Sequence, residues 1–478
     1  MEKYSNPLIE RYSSKEMLYN FSPKKKFSTW RKLWLYLAKY QKELGLNISD
    51  EQIQDLKKNL LNIDWKRVSF FEKKFRHDVM AHLYAFGEKA VIAKPIIHLG
   101  VTSAFLGDNT DIILIRDGLE ILLKKLINII FRFRNLSIEY HDIPTLAFTH
   151  YQPAQLTTVG KRIALWIQSL LLDINELEFR LKSICFRGVK GTVGSAASFK
   201  ELFNGDLQKT KFLEEKISNK FGFKNVFPIT SQTYDRKIDA QILNLLSNIA
   251  QSAHKFSNDL RLLQNLKEME EPFEKEQIGS SAMAYKRNPI RSERMSSLAK
   301  FVISLSNSSA MVAATQWLER TLDDSANRRL VLAQSFLSID AILIIWNNIL
   351  EDIVIYPKVI EKHIRDELPF LITEYLIVEC VRKGSDRQEI HERIRIHSME
   401  TTSRMKLEGK ENDFIQRVLN DAKIPIDKKT MDKILNPKNF IGFSSDHTLE
   451  FIDKKVNPIL KKYHYLIDSD LSSIDIQV

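Results

Sequence analysis

The stretch Ile242–Leu263, ILNLLSNIAQSAHKFSNDLRLL, decides the fold class. Ile242, Leu246, Ile249, Ala253, Phe256, Leu260 and Leu263 recur at alternating steps of four and three, the spacing of an apolar seam along a long helix. Three other segments carry the same register: Ile115, Leu119, Leu122, Leu126, Ile129; Ile163, Ile167, Leu170, Ile174, Leu177, Leu181; and Leu332, Phe336, Ile339, Leu343, Trp346, Leu350. Helices of this length pack nearly antiparallel in a bundle. Surplus apolar residues beside the first seam, Ile112, Ile113 and Leu123, imply burial on more than one face, and hence self-association. The spacing predicts an all-α protein.

Composition agrees. The 478 residues include only 15 glycines and 13 prolines, roughly half of average usage, which argues against an all-β or loop-dominated chain. Cys185 and Cys380 lack metal-ligand spacing and read as buried thiols in a reducing compartment. The amino terminus MEKYSNPLIERYSSKE has no apolar core for a secretory signal, and no segment approaches the roughly 20 apolar residues of a membrane span. A cytoplasmic protein with no membrane partner is expected. The net charge of +11 is spread along the chain, with Lys24–Lys26 as its compact run, so nucleic acid is not an expected partner, whereas small polyanions are.

Chemistry concentrates between the seams. Gln277–Pro289, QIGSSAMAYKRNP, gathers Gly279, Ser280, Ser281, Lys286 and Asn288. It reads as a mobile active-site loop: small residues let backbone amides approach a ligand, while Lys286 and Asn288 offer a cation and an amide to anionic oxygens. A serine hydroxyl is a weak base unless its alkoxide is stabilised, so the loop alone names no reaction, and its residues also suit a surface turn. Five further polar segments sit near predicted helix ends: RHDVMAH (76–82), LGVTS (99–103), THYQPAQLTTVGKR (149–162), SQTYDRK (231–237) and ERTLDDSANRR (319–329). Pro153 suits a first helical turn, and Thr102, Ser103 and Thr149 suit caps, yet capping leaves the clustered His, Gln and Arg unexplained.

The loop resembles the signature of the fumarase and aspartase superfamily: GSS, any residue, MP, any residue, K, any residue, NP. The other polar segments, with RGVKGTVGSAASF and LKEMEEPFEKEQIGSSAM, resemble the adenylosuccinate lyase family within it, particularly its animal form, from Asn6 to Pro458. The resemblance implies three helical domains, whose limits the helical pattern places at 1–102, 103–355 and 356–478, where the first long helix begins and where the pattern ends before Pro357, and a homotetramer whose central helices form one bundle and whose sites are shared among three chains. It implies β-elimination of fumarate from adenylosuccinate, giving AMP, and from succinylaminoimidazole carboxamide ribotide, giving aminoimidazole carboxamide ribotide. No metal or cofactor is expected, and His77 and His82, five apart, do not share a helical face. A sister lyase acting on argininosuccinate, malate or aspartate, or a noncatalytic protein on the same fold, are the alternatives.

By the same resemblance Ser280 is the base, as alkoxide, and His150 the acid that protonates the departing nitrogen. Sequence position alone does not separate Ser280 from Ser281; the alignment with the superfamily serine does. Glu293 corresponds to the glutamate that orients His150, while Lys286, Asn288 and the loop amides stabilise the dianionic intermediate. His77 supports proton transfer and touches substrate. Arg320 and Arg329, flanking Ser325, bind phosphate with Arg11 and Tyr12; Thr102, Ser103 and Gln232 bind carboxylates; Arg76, Asp78 and Arg294 complete the contacts. The chain departs from the signature at Ala284, where the proline is missing. Its loss frees φ and costs about 0.4–1 kcal/mol in ordering the loop.

Overall fold

In the computed structural model, which describes residues 4–468, helices dominate and strands are short. The outer ends of the expected first and last domains, residues 1–3 and 469–478, lie outside the described residues. In chain order the elements that matter for the site are α1 (Pro23–Glu43), α2 (Trp65–Phe75), α3 (Asp78–Lys89), α4 (Ser103–Glu139), the hairpin β1 (Pro144–Thr149) and β2 (Gln152–Thr158), and α5 (Val159–Ser183). They continue with α6 (Lys237–Asn265), β3 (Met269–Glu270), α7 (Ile290–Ala314), α8 (Asp324–Glu351), β4 (Val354–Ile355) and α9 (Pro357–Leu371).

The four seams fall on α4, α5, α6 and α8, and all their residues are buried except the half-buried Leu181. Each helix contributes one aromatic ring to the centre: Phe133, Trp166, Phe256 and Trp346 meet at centroid distances of 5.0–6.0 Å. Such edge and offset contacts add about 0.5–1.5 kcal/mol per pair to the area buried. The indole N–H of Trp166 donates to Asp259 at 2.7 Å, so that ring is buried with its polar atom satisfied.

α7 is a bundle helix that spacing did not reveal. It packs along α6, and Ser296 meets Ser257 of α6 through a 2.6 Å hydroxyl pair, so small polar residues satisfy each other in the core.

Two expectations need correction. The segment at 149–162 reaches a helix start only at its far end: Thr149 closes β1, Pro153 lies in β2 opposite Phe148 beside a bulge, and it is Thr158 that caps α5, through Lys161 N–H. Proline is tolerated there because a two-stranded ribbon leaves outward N–H positions unpaired. Secondly, α8 does reach membrane-span composition: its most apolar 18 residues have a mean hydropathy of 1.7. Burial of 83% of them inside the protein accounts for it as a bundle-core helix.

The N-terminal segment is tied onto the bundle by a buried ion pair. Lys125 of α4 meets Asp340 of α8, Lys125 also donates to Ser14 Oγ at 3.1 Å, and Ser14 N–H donates to Asp340 at 2.6 Å. Ser13 Oγ adds a bond to Leu337 O at 2.9 Å, so Arg11 and Tyr12 are held against α8. Some apolar surface stays open. On α5, Leu165, Leu172 and Phe179, seven residues apart, are 58, 62 and 55% exposed. Cys185 is half-buried and Cys380 buried, and neither is in a disulfide.

Candidate active site

The predicted residues gather in three places. The first is a cleft of about 900 Å³ whose lining includes Arg76, His77, Asp78, Ser103, Gln232, Arg320, Ser325 and Arg329. Arg76 ends α2 in the left-handed conformation, φ 54°, which non-glycine residues avoid at a cost of about 1 kcal/mol. His77 then caps α3: its Nδ1 accepts Met80 N–H at 3.3 Å, so the ring proton sits on Nε2 and is free to donate. Asp78 Oδ1 lies 3.7 Å from Nδ1, and its Oδ2 binds Arg329 at 3.1 Å across the cleft. Thr102 stands at the N-cap of α4, but its hydroxyl makes no capping bond and is buried without a partner.

The wall of the cleft also holds a largely buried charge network that sequence reasoning did not single out, with Asp108, Asp111, Arg236 and Arg328 among the lining residues. Arg236 binds Asp108 through both terminal nitrogens, at 3.2 and 3.1 Å, and Asp324 through Nε at 2.7 Å. Arg328 binds Asp239 at 2.6 Å, Asp111 at 2.9 Å and the Tyr234 hydroxyl at 2.6 Å. Burial opposes ionisation of Asp108, but Arg236 and Arg328 outweigh it and hold the carboxyl below its ordinary value. The signal was available: Asp108 and Asp111 interrupt an apolar helix, and Arg236 and Arg328 lie inside two of the flagged segments. His82, the other histidine of RHDVMAH, is core. It stacks on Phe27 at 3.9 Å, and burial with nearby Arg31 lowers its pKa to about 4.

The second place is the tip of the β1–β2 hairpin. His150 and Tyr151 are its two turn residues, with φ of 53° and 58°, both positive as a type I′ turn requires. Asn-Gly usually fills such a turn, so strain is accepted here to present an exposed imidazole that makes no hydrogen bond or ion pair to any described residue. Thr149 and Tyr151 border a second cleft, of about 1020 Å³, that contains none of the predicted substrate residues.

The third place is the loop and the start of α7. Ser280 Oγ accepts two backbone N–H groups, from Ala282 at 3.3 Å and Met283 at 3.1 Å, the donors an alkoxide needs; Ser281 Oγ accepts none. Gly279 is required because a Cβ there would lie 2.1 Å from Lys286 O. Lys286 is exposed and unpaired. Asn288, expected at an anionic oxygen, donates to Gly279 O at 2.6 Å and holds the loop shut on itself. Arg294 lies over the Tyr12 ring at 5.6 Å, with Nη1 buried and unpartnered. Glu293 pairs with Arg261 at 3.6 Å and, within one chain, not with His150. Among the described residues no group of three His, Cys, Asp or Glu side chains is placed to hold a metal ion.

Residues 50–304 match the family described as Lyase, and residues 369–450 match Adenylosuccinate lyase C-terminus. A solved 3-carboxy-cis,cis-muconate lactonizing enzyme from Pseudomonas putida shares the fold, with a TM-score of 0.82 at 17% identity over 94% of this chain and 98% of its own. The chain is 49% identical to adenylosuccinate lyase of Saccharomyces cerevisiae, covering 98% of both chains. It is 48% identical to adenylosuccinate lyase of Schistosoma mansoni, covering 97% of both, so a fungal relative is as near as an animal one. The chain belongs to the adenylosuccinate lyase family.

Proposed function

We propose that the chain eliminates fumarate from adenylosuccinate, giving AMP, and from succinylaminoimidazole carboxamide ribotide, giving aminoimidazole carboxamide ribotide. The cleft carries this reading: Arg76, Arg320 and Arg329 beside His77 and Gln232 offer planar donors for a phosphate and for carboxylates in one depression. Family membership and these arginines favour a nucleotide over the sister-lyase substrates, and the unpaired His150 and Lys286 with the donor-supplied Ser280 favour catalysis over a structural role.

In the proposed mechanism the Ser280 alkoxide, held by the Ala282 and Met283 amides, takes the proton from the carbon beside a succinyl carboxylate. The electron pair is delocalised into that carboxylate, whose second negative charge Lys286 and the loop amides stabilise. The pair then forms the C=C bond of fumarate as the C–N bond breaks, and His150 protonates the leaving nitrogen. His77, an Nε2–H donor, supports the carboxylate or phosphate. Proton exchange with water restores Ser280 and His150.

The separation of cleft, hairpin tip and loop within one chain supports a homotetramer in which three chains complete each site, with Glu293 reaching a neighbour's His150. The exposed Leu165, Leu172 and Phe179 supply a face for such assembly. Domain limits at Ser103 and Tyr356 accord with the start of α4 and the Tyr356 cap of α9.

The test is fumarate release from adenylosuccinate and from argininosuccinate, with His150→Ala and Ser280→Ala as controls. Release from adenylosuccinate alone is expected; none from the assembled wild-type protein sinks the reading. Mixing the two inactive variants should restore part of the activity, and a mixture that stays silent retires the shared site.

A further inference from the structure

The loop that bears Ser280 has a closed base, and one carboxylate closes it. Glu271 lies just after β3, at the point where the chain leaves the bundle for the loop, and it is only 4% exposed. Its Oε1 accepts Arg291 N–H at 2.9 Å, and its Oε2 accepts Ser292 N–H at 2.9 Å and Ser292 Oγ–H at 2.8 Å. Arg291 and Ser292 are in the first turn of α7, where the chain returns. Pro289, at the N-cap of α7, gives no side-chain cap, so the orphan amides of that turn are satisfied by a residue from the far end of the loop. The helix dipole adds to the attraction for an anion there.

Weaker ties surround this anchor. Glu271 N–H donates to Gln264 Oε1 at 3.4 Å, and Gln264 Nε2 donates to Arg287 O at 3.0 Å. Arg291 also pairs with Glu274. From Ser281 to Arg287 every residue is exposed. The loop is thus an exposed arch on a fixed base, tied again by Asn288 to Gly279 O and by Gln264 to Arg287 O, and Ser280 stands nine residues from Glu271. Glu271 itself takes no part in proton transfer, because both its oxygens are buried and turned to α7.

We propose that Glu271 is a positioning residue: it clamps the two ends of the signature loop together, so that closure over bound substrate swings the arch about a fixed base and delivers Ser280 to the same place in each turnover. This rests on Ser280 being the base. Loss of the clamp lets the arch settle in many positions, which lowers the fraction of bound complexes competent to react while leaving the cleft arginines untouched.

The experiment compares Glu271→Ala, Glu271→Gln and Ser292→Ala with wild type in the assembled protein, reading kcat and KM for fumarate release, equilibrium AMP binding, Tm and the rate at which protease cuts residues 275–287. Glu271→Ala should lower kcat about 100-fold, with AMP binding within about twofold of wild type and faster loop cleavage. Ser292→Ala removes one of three donors, and Gln keeps one acceptor, so both should fall between, about 3- to 10-fold down in kcat. The proposal is overturned if kcat and loop cleavage stay within about twofold of wild type in Ser292→Ala and Glu271→Gln, or if kcat, AMP affinity and Tm fall together in all variants. Should Glu271→Ala fail to assemble, the two milder variants decide. A wild-type protein that releases no fumarate overturns the proposed function instead, and the loop-cleavage comparison still tests the clamp.

Discussion

Arg320 Nη1 stands 3.0 Å from Asp324 Oδ2, the oxygen that also accepts Arg236 Nε at 2.7 Å. Asp324 is buried and pairs with both, so Arg320 is aimed into the cleft from a charge network rooted in the bundle. Arg320→Ala should leave that network intact through Arg236. It should raise KM and the AMP dissociation constant by about 10- to 100-fold with little change in kcat, since a charge-assisted hydrogen bond is worth about 1.5–3 kcal/mol. Steady-state kinetics with AMP titration checks the split.

The two serines of the loop should separate cleanly. Ser280 Oγ receives two amide donors and Ser281 Oγ none. Ser280→Ala is expected to cut fumarate release by about 1000-fold or more, and Ser281→Ala by about tenfold or less. Equal losses in the two variants would remove the assignment.

Ala284 follows Met283 in a turn closed by Lys286 N–H to Met283 O at 3.0 Å, the position at which a turn favours proline. Its own N–H makes no hydrogen bond to a described residue. Ala284→Pro should order the loop by about 0.4–1 kcal/mol, slowing its proteolysis and modestly raising turnover. No change in either would show that this turn does not limit closure.

Burial lifts the Asp173 carboxyl from 3.8 to about 7, opposed by the Ser252 hydroxyl, which donates to it at 2.6 Å. A raised carboxyl means that the fold disfavours the ionised form. Below the ordinary value the group costs nothing; as pH rises from about 4 to about 7 the unfolded chain ionises first and stability falls; above that the full cost remains. Asp173→Asn should therefore stabilise the protein by about 1–3 kcal/mol at pH 8 and by much less at pH 5, read from urea unfolding. A benefit independent of pH would point to packing.

Reading the bundle from spacing succeeded for α4, α5, α6 and α8 because a seam buried along its whole length must repeat in register. α7 escaped because its buried stripe is short and mixed: Met295, Ala299 and Val302 stand among Ser292, Ser296 and Ser309, and Ser296 pairs with Ser257 of α6. The hairpin at His150 reads as a helix end because Thr149 suits a cap and Pro153 a first helical turn, whereas the residue that caps α5 is Thr158. Arg236 and Arg328 were passed over because burial, which makes them network residues, is invisible in a list of polar segments. Asn288 looked free for substrate until its bond to Gly279 O was seen.

The sequence by itself determined the helical class, the family and the segments that carry the chemistry, since periodicity and motif spacing are local properties of the chain. Tertiary structure alone decided which of those segments share a cleft, that His150 rides a strained two-residue turn, and that Glu271 caps a helix beginning nineteen residues further on. Pairings such as Arg236 with Asp324, 88 residues apart, have no local signature. They exist because burying the bundle brings those charges together and a low-dielectric interior forces each to find a partner.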